Sequence, residues 1–203
     1  VKPQQMREVC AGLAPLAARQ RPLVISVAAG IRLADLSAWL GEGLPIVRSM
    51  PNRPALLRAG ISALVAGPAV GSVERARAES LLAAVGACEW VEDEALMDAV
   101  TAVSGSGPAY VFLLVEMLEA AARAEGLAPA TARRLAVETV HGAARMAREL
   151  GEDPAVLREQ VTSKGGTTAA ALAVLEDAGI RATFCRAVHA ARCRSAELAR
   201  GGG

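Results

Sequence analysis

The segment 108–122 is apolar on nearly every helical face, interrupted only by Glu116 and Glu119. A helix of that kind needs neighbours on several sides. The run is shorter than the roughly 20 apolar residues of a membrane span, so it is expected to be a buried helix and no membrane partner is expected. The helices around it amount to about 100 residues, too few to wrap it alone. The pattern therefore predicts an intertwined homodimer in which the helices of one copy complete the core of the other. The alternative is burial against the first half of the chain.

Composition narrows the class. Apolar residues make up 53% of the 203, enough for a sizeable core. Twenty-two basic residues face twenty-one acidic ones, so no summed field favours nucleic acid or an anionic membrane surface. Only two Phe, two Trp and one Tyr are present, which leaves alanine and aliphatic side chains to pack closely spaced helices. Four cysteines with no secretory signal before them point to free thiols in a reducing, cytoplasmic setting. The chain opens at Val1 without a methionine, and Lys2-Pro3 reads as a loop entering a helix, so an upstream part is expected to be missing.

Up to Glu92 the punctuation alternates between helix and strand. Met6, Val9, Cys10 and Leu13 recur at helical spacing until Pro15 interrupts, and a β-branched run over 23–28 stops at Gly30. A helix is predicted over 33–40 and ends at Gly41. Strands are expected from Ile46, over 63–66 and over 88–91, with a helix capped by Ser72 and closed by Gly86. That alternation is the mark of an α/β sheet. Beyond Glu92 the strand signals cease. Helices open at Pro108, Pro129 and Pro154 and close near Gly126, Gly151 and Gln160; another runs from Thr167 or Thr168 to Gly179, and a last one from about Ala182 to Leu198. The expected domains are an α/β domain over 1–92 and an all-α domain over 93–203.

The most informative stretch is Ser163-Lys164-Gly165-Gly166-Thr167-Thr168. Two glycines and three hydroxyls stand just ahead of a helix, where unpaired N–H groups and the positive end of the dipole attract a carboxylate or phosphate. An ordinary loop with a threonine cap explains the same residues. Ser104-Gly105-Ser106-Gly107-Pro108 and Gly41-Glu42-Gly43 match neither a dinucleotide fingerprint nor a Walker motif and read as structural turns. Cys185, His189 and Cys193 share one helical side, but the two sulfurs originate about 12 Å apart at 1.5 Å rise per residue, too far for both to meet one ion. His141 stands alone, so neither a metal site nor a serine–histidine–aspartate set is expected. Small residues at 27–30 and Met50-Pro51-Asn52 fall where strands of an α/β sheet end, the side on which ligands gather; plain strand termination explains the same composition.

Together, Val1-Lys2-Pro3-Gln4, Ser26-Val27-Ala28-Ala29-Gly30, Arg48-Ser49-Met50-Pro51-Asn52, the stretch from Ala102 to Tyr110 and that from Val161 to Thr168 resemble, in order and spacing, the pyrroline-5-carboxylate reductase family. The resemblance spans essentially the whole chain. It implies a partial Rossmann-like α/β domain followed by an all-α helical dimerisation domain, in homodimers that can assemble further. The implied reaction is reduction of a cyclic imine carboxylate to proline, with NADPH or NADH as cofactor. By the same resemblance Val1, Lys2, Pro3, Val27, Ala28, Ala29 and Gln160 line the cofactor. Glu94, Ser163, Gly165, Gly166, Thr167 and Thr168 meet the substrate, backbone donors at Gly166 and Thr167 hold its carboxylate, and the Thr168 hydroxyl faces its nitrogen as the catalytic group.

Three departures accompany it. The opening strand with its G-x-G-x-x-G turn is absent, which removes the pyrophosphate-binding helix end. Lys164 stands where the family usually has proline, and Arg53 where it usually has threonine. A truncated, non-catalytic relative that only dimerises is the main alternative, and a hydroxy-acid dehydrogenase of similar layout is a more distant one.

Overall fold

The computed structural model describes residues 1 and 3–201. The chain divides into two compact units, one formed by Val1–Pro108 with Val188–Gly203 and the other by Ala109–Ala187. The first contains α1 (Met6–Gln20), β1 (Val24–Ser26), α2 (Leu33–Leu40), β2 (Ile46–Pro51), β3 (Gly60–Ala66), α3 (Ser72–Ala83), β4 (Gly86–Trp90) and the short α4 (Met97–Val100). The four strands form one sheet in chain order, parallel between β1 and β2, antiparallel between β2 and β3, and parallel between β3 and β4.

Alternation along the inner strands sends successive side chains to opposite faces. Ile46 joins Cys10, Ala17, Leu36 and Leu40 beneath α1 and α2. Its neighbour Val47 packs with Leu64 and Ala78 beneath α3. On β3, Ala63 and Val65 turn the other way from Leu64 and close over Met97 of α4. The predicted span of α2 agrees with the structure at both ends.

Three local expectations change. Pro15 does not interrupt α1 but lies inside it. An interior proline costs about 3 kcal/mol, and here Cys10 and Ala17, seven residues apart on one face, are buried in a shared cluster that holds the helix together. Ser72 is the first residue of α3 rather than its cap; Gly71 is the cap, and its N–H donates to Glu74 Oε2 at 3.1 Å. Ser104 and Gly105, read as part of a turn, fall in a π-helical stretch (Thr101–Gly105) that follows α4 directly, with Ser106 N donating to Thr101 O.

The second unit is helical: α5 (Gly107–Ala124), α6 (Pro129–Leu150), α7 (Pro154–Gln160), α8 (Thr167–Asp177) and the start of α9 (Ile180–Gly201). Ala132 and Ala136, one turn apart on α6, are buried, as expected where small side chains let helices approach. Tyr110 and Phe184 meet edge to face at 5.7 Å, and Arg133 Nε donates to Glu119 Oε2 at 3.0 Å. Arg181 grips Glu176 through three contacts of 2.7–2.9 Å across the α8–α9 junction. Those hydrogen bonds hold the Glu176 carboxyl below its usual range, so this contact is made at neutral pH and is lost as pH falls through the lowered value.

The expectation that the run from Pro108 is a buried helix does not hold within one chain. No residue of α5 is buried, and Phe112 is 59% exposed. Extended by the helical turns before it, the stretch Glu94–Ala124 is by length and composition long enough to cross a membrane. Much of its apolar surface, Phe112, Leu113 and Met117 included, is left uncovered by its own chain.

Two glycines set the join of β3 and β4. Gly60 and Gly86 are paired across the strands, and Gly86 has φ +149°, so a Cβ there would collide with the Gly60 carbonyl oxygen. Gly86→Ala is therefore expected to lower unfolding stability in urea by about 3 kcal/mol. Gly12, inside α1 with nothing within 4 Å of a Cβ, is the control, and Gly12→Ala should raise stability by about 0.5–1 kcal/mol.

Candidate functional site

The glycine turn ahead of α8 has a definite construction. Gly165 adopts φ +72°, a left-handed conformation that a Cβ disfavours. Gly166 then serves as N-cap with extended backbone and has no side chain to satisfy the helix end. A Cβ on Gly166 would collide with Ser163 Oγ, which folds back over it. Threonine is thus not the cap, contrary to the sequence reading; Thr167 is the first residue of α8.

Donor assignment changes as well. Gly166 N donates to Ser163 O at 3.0 Å and closes the turn, so this N–H is not directed at a ligand. The first N–H groups of α8 belong to Thr167, Thr168 and Ala169, and a helix offers such groups no internal acceptor. The first bond of the helix is Ala170 N to Gly166 O at 3.1 Å. With no side-chain cap, these amides and the dipole form an anion-attracting end. Thr168 is half-buried beside it, while Ser163, Lys164 and Thr167 are exposed. Gln160 ends α7 and donates from Nε2 to Glu152 Oε2 at 2.7 Å.

The other expected ligand residues lie in the first unit. Val1, Val27 and Ala28 line one apolar cavity of about 320 Å³ with Cys10, Leu36 and Leu40. Burial pushes the Cys10 thiol up, which suits a packing role. Ala28 is buried while Val27 and Ala29 are exposed just past β1, and Gly30 turns the chain at φ +81°. Pro3 stands in a 3-10 turn (Pro3–Gln5), and the expectation for Lys2 lies outside the described residues. The small side chains beyond β1 suit the flat end of a nicotinamide cofactor, whose ring needs close backbone approach. No glycine-rich cradle for its pyrophosphate occurs in this sequence.

Glu94 opens a 3-10 turn (Glu94–Leu96), and its Oε1 accepts from Leu33 N at 2.8 Å and from Arg48 Nη1 at 2.9 Å. It therefore satisfies the first N–H of α2 and neutralises a guanidinium whose side chain is only 7% exposed. The loop 27–32 enters α2 at this anchor. Sequence reasoning did not single out Arg48, although a lone arginine inside the run Ile46-Val47-Arg48-Ser49-Met50 signals a buried charge that needs a partner. Asn52 was read only as part of a turn. Its Nδ2 donates to Ser104 O at 3.2 Å and its Oδ1 accepts from Ile61 N at 2.9 Å, which pins the end of β2 to the π-helical stretch. At Gly105 a Cβ would meet Met50 Cε at 2.8 Å, so the flexible end of that methionine packs against this glycine.

Comparison with known proteins agrees with the resemblance read from the residues. A family model described as pyrroline-5-carboxylate reductase dimerisation matches residues 94–198. The pyrroline-5-carboxylate reductase of Pseudomonas aeruginosa is 51% identical over 199 residues, covering 98% of this chain and 72% of that protein. The structure of a pyrroline-5-carboxylate reductase from Coxiella burnetii superposes with a TM-score of 0.95 at 44% identity, covering 98% of this chain and 73% of the other. The Plasmodium falciparum pyrroline carboxylate reductase with NADP bound gives 0.86 at 30% identity, covering 98% and 79%.

Because Glu94 is 25% exposed and Arg48 nearly enclosed, removing the arginine strands a partly desolvated carboxylate. Arg48→Met should lower stability in urea by about 2–3 kcal/mol. Glu94→Gln keeps an acceptor for Leu33 N yet leaves the Arg48 charge unpaired, so it should also be destabilising. Equal stability of both variants and the parent would show that this pair does not hold the strand and helix together.

Proposed function

As the chain belongs to the pyrroline-5-carboxylate reductase family, we propose that it takes part in NAD(P)H-dependent reduction of 1-pyrroline-5-carboxylate to L-proline, the last step of proline biosynthesis. The observation that carries this reading is the uncapped start of α8, where backbone amides are left for a small carboxylate. Ser163, Gly165, Gly166, Thr167 and Thr168 form the substrate turn. The N–H groups of Thr167 and Thr168 hold the carboxylate, while Gly165 and Gly166 give the turn its shape and keep Cβ atoms away.

The half-buried Thr168 hydroxyl meets the ring nitrogen. A threonine hydroxyl is too weak an acid to protonate an imine at neutral pH, so the nitrogen arrives protonated and donates its N–H to Thr168 Oγ1. Thr168 orients the ring more than it moves a proton. When bound, the reduced nicotinamide supplies the hydride, and the residues that hold it are Val1, Lys2, Pro3, Val27, Ala28, Ala29 and Gln160. Alignment of the reacting carbons within about 3–3.5 Å is then the main contribution of the protein. Glu94, committed to Arg48 and to Leu33 N, acts by fixing the loop 27–32 rather than by chemistry of its own. The functional division falls at residues 1–92 for cofactor and 93–203 for dimerisation and substrate.

The exposed apolar surface of α5, with Phe112, Leu113 and Met117 in solvent, supports a homodimer, and the dimerisation family model over this region favours a second copy as its cover rather than a bilayer. The setting is cytoplasmic. Light scattering should give twice the chain mass, and Phe112→Lys should shift it toward the monomer; a monodisperse parent monomer would overturn the dimer.

For the chemistry, NADPH oxidation with 1-pyrroline-5-carboxylate and calorimetric binding of L-proline test the site together. Thr168→Ala should slow turnover by about tenfold or more with the dimer intact. Gly166→Val should abolish proline binding. Proline affinity unchanged in Gly166→Val would remove the carboxylate from this turn, and dimerisation without turnover would favour a non-catalytic relative.

A further inference from the structure

The helix α9 holds a pair of metal-binding side chains that the reductase reading leaves unused. His189 and Cys193 stand one turn apart, and His189 Nε2 lies 3.5 Å from Cys193 Sγ. Both are exposed, and among the described residues neither side chain has another hydrogen-bond partner. Zinc bonds of about 2.0–2.1 Å to nitrogen and 2.3 Å to sulfur, set at the tetrahedral angle, span about 3.5 Å between the two donor atoms. The i, i+4 spacing is also the one by which two side chains of a single helix reach one ion. We propose that His189 Nε2 and Cys193 Sγ form a two-ligand site for a borderline-soft divalent cation, Zn²⁺.

The three-residue alternative fails on distance, because Cys185 originates about 12 Å from Cys193 along the helix. His189 can share an ion with only one of the two sulfurs, and the observed rotamers select Cys193. Among the described residues no third histidine, cysteine or carboxylate joins the pair, so water completes the coordination. Two arginines of this helix are engaged elsewhere, Arg186 donating to Thr183 Oγ1 at 2.9 Å and Arg194 to Glu197 Oε2 at 2.8 Å. On binding, the thiol is taken as thiolate and its proton passes to solvent, while the imidazole coordinates in its neutral form. Two protein ligands with open water positions describe a weak, exchangeable site rather than a structural one.

The test is titration of the reduced full chain with Co²⁺, followed by the near-ultraviolet thiolate-to-cobalt charge-transfer band, and then displacement by Zn²⁺. The band should saturate with excess Co²⁺ at one ion bound per chain. Cys193→Ser should remove it, His189→Gln should weaken binding by about tenfold or more, and Cys185→Ser should leave it unchanged. A band that survives Cys193→Ser, or none in the parent chain, overturns the site. A second measurement needs no variant: Zn²⁺ should protect Cys193, and not Cys185, from iodoacetamide as read by mass spectrometry. Equal alkylation of both with and without the metal would likewise overturn it.

Discussion

None of the eighteen residues of α5 is buried, and Val111, Phe112, Leu113, Leu114 and Met117 face solvent. That surface is the constraint under which the helical unit is built. Burial is worth about 25 cal/mol for each Å² removed from water, so a face of this size drives association with whatever covers it. The few fully buried positions of the unit, Ala132 and Ala136, are too small to supply a core. In the proposed homodimer a second copy covers that deficit without requiring a larger domain.

The first unit solves its packing internally. Its sheet divides successive side chains of β2 and β3 between two apolar clusters and a third beneath α4. The polar exceptions carry the architecture. Glu94 joins an inner strand to the start of α2 through Arg48 and Leu33 N. Asn52 joins the end of that same strand to the π-helical stretch. The carboxyl-terminal part of α9 belongs to this unit too: Ser195 Oγ donates to Asp98 Oδ1 at 2.7 Å. The backbone of Ala199 lies beside Gly30, at van der Waals distance from where a Cβ would stand. The loop after β1 is therefore held at both ends, by Glu94 at the entry of α2 and by α9 at Gly30.

Local signals told much of this in advance. The helix over 33–40, the strand from Ile46 and the helices opened by Pro129 and Pro154 followed from periodicity and from terminators, because each depends on residues near one another in the chain. The failures were of a different kind. Pro15 within α1 required the buried pair Cys10 and Ala17; the π-helical stretch required Asn52, some fifty residues earlier in the chain. The glycine turn ahead of a helix was read from the sequence, but Gly166 was expected to offer its N–H to a ligand, whereas that N–H closes the turn onto Ser163.

By itself the sequence determined the class of fold, the family resemblance and the position of the glycine turn, since those rest on spacing along the chain and on the left-handed freedom of glycine. Only the tertiary structure decided that Arg48 and Glu94 are partners, that α5 is uncovered by its own chain, and that His189 faces Cys193 rather than Cys185. Each of these depends on which side chains distant elements or chosen rotamers bring within a few ångströms, and on how much water the fold excludes around them. A one-dimensional pattern encodes neither quantity directly.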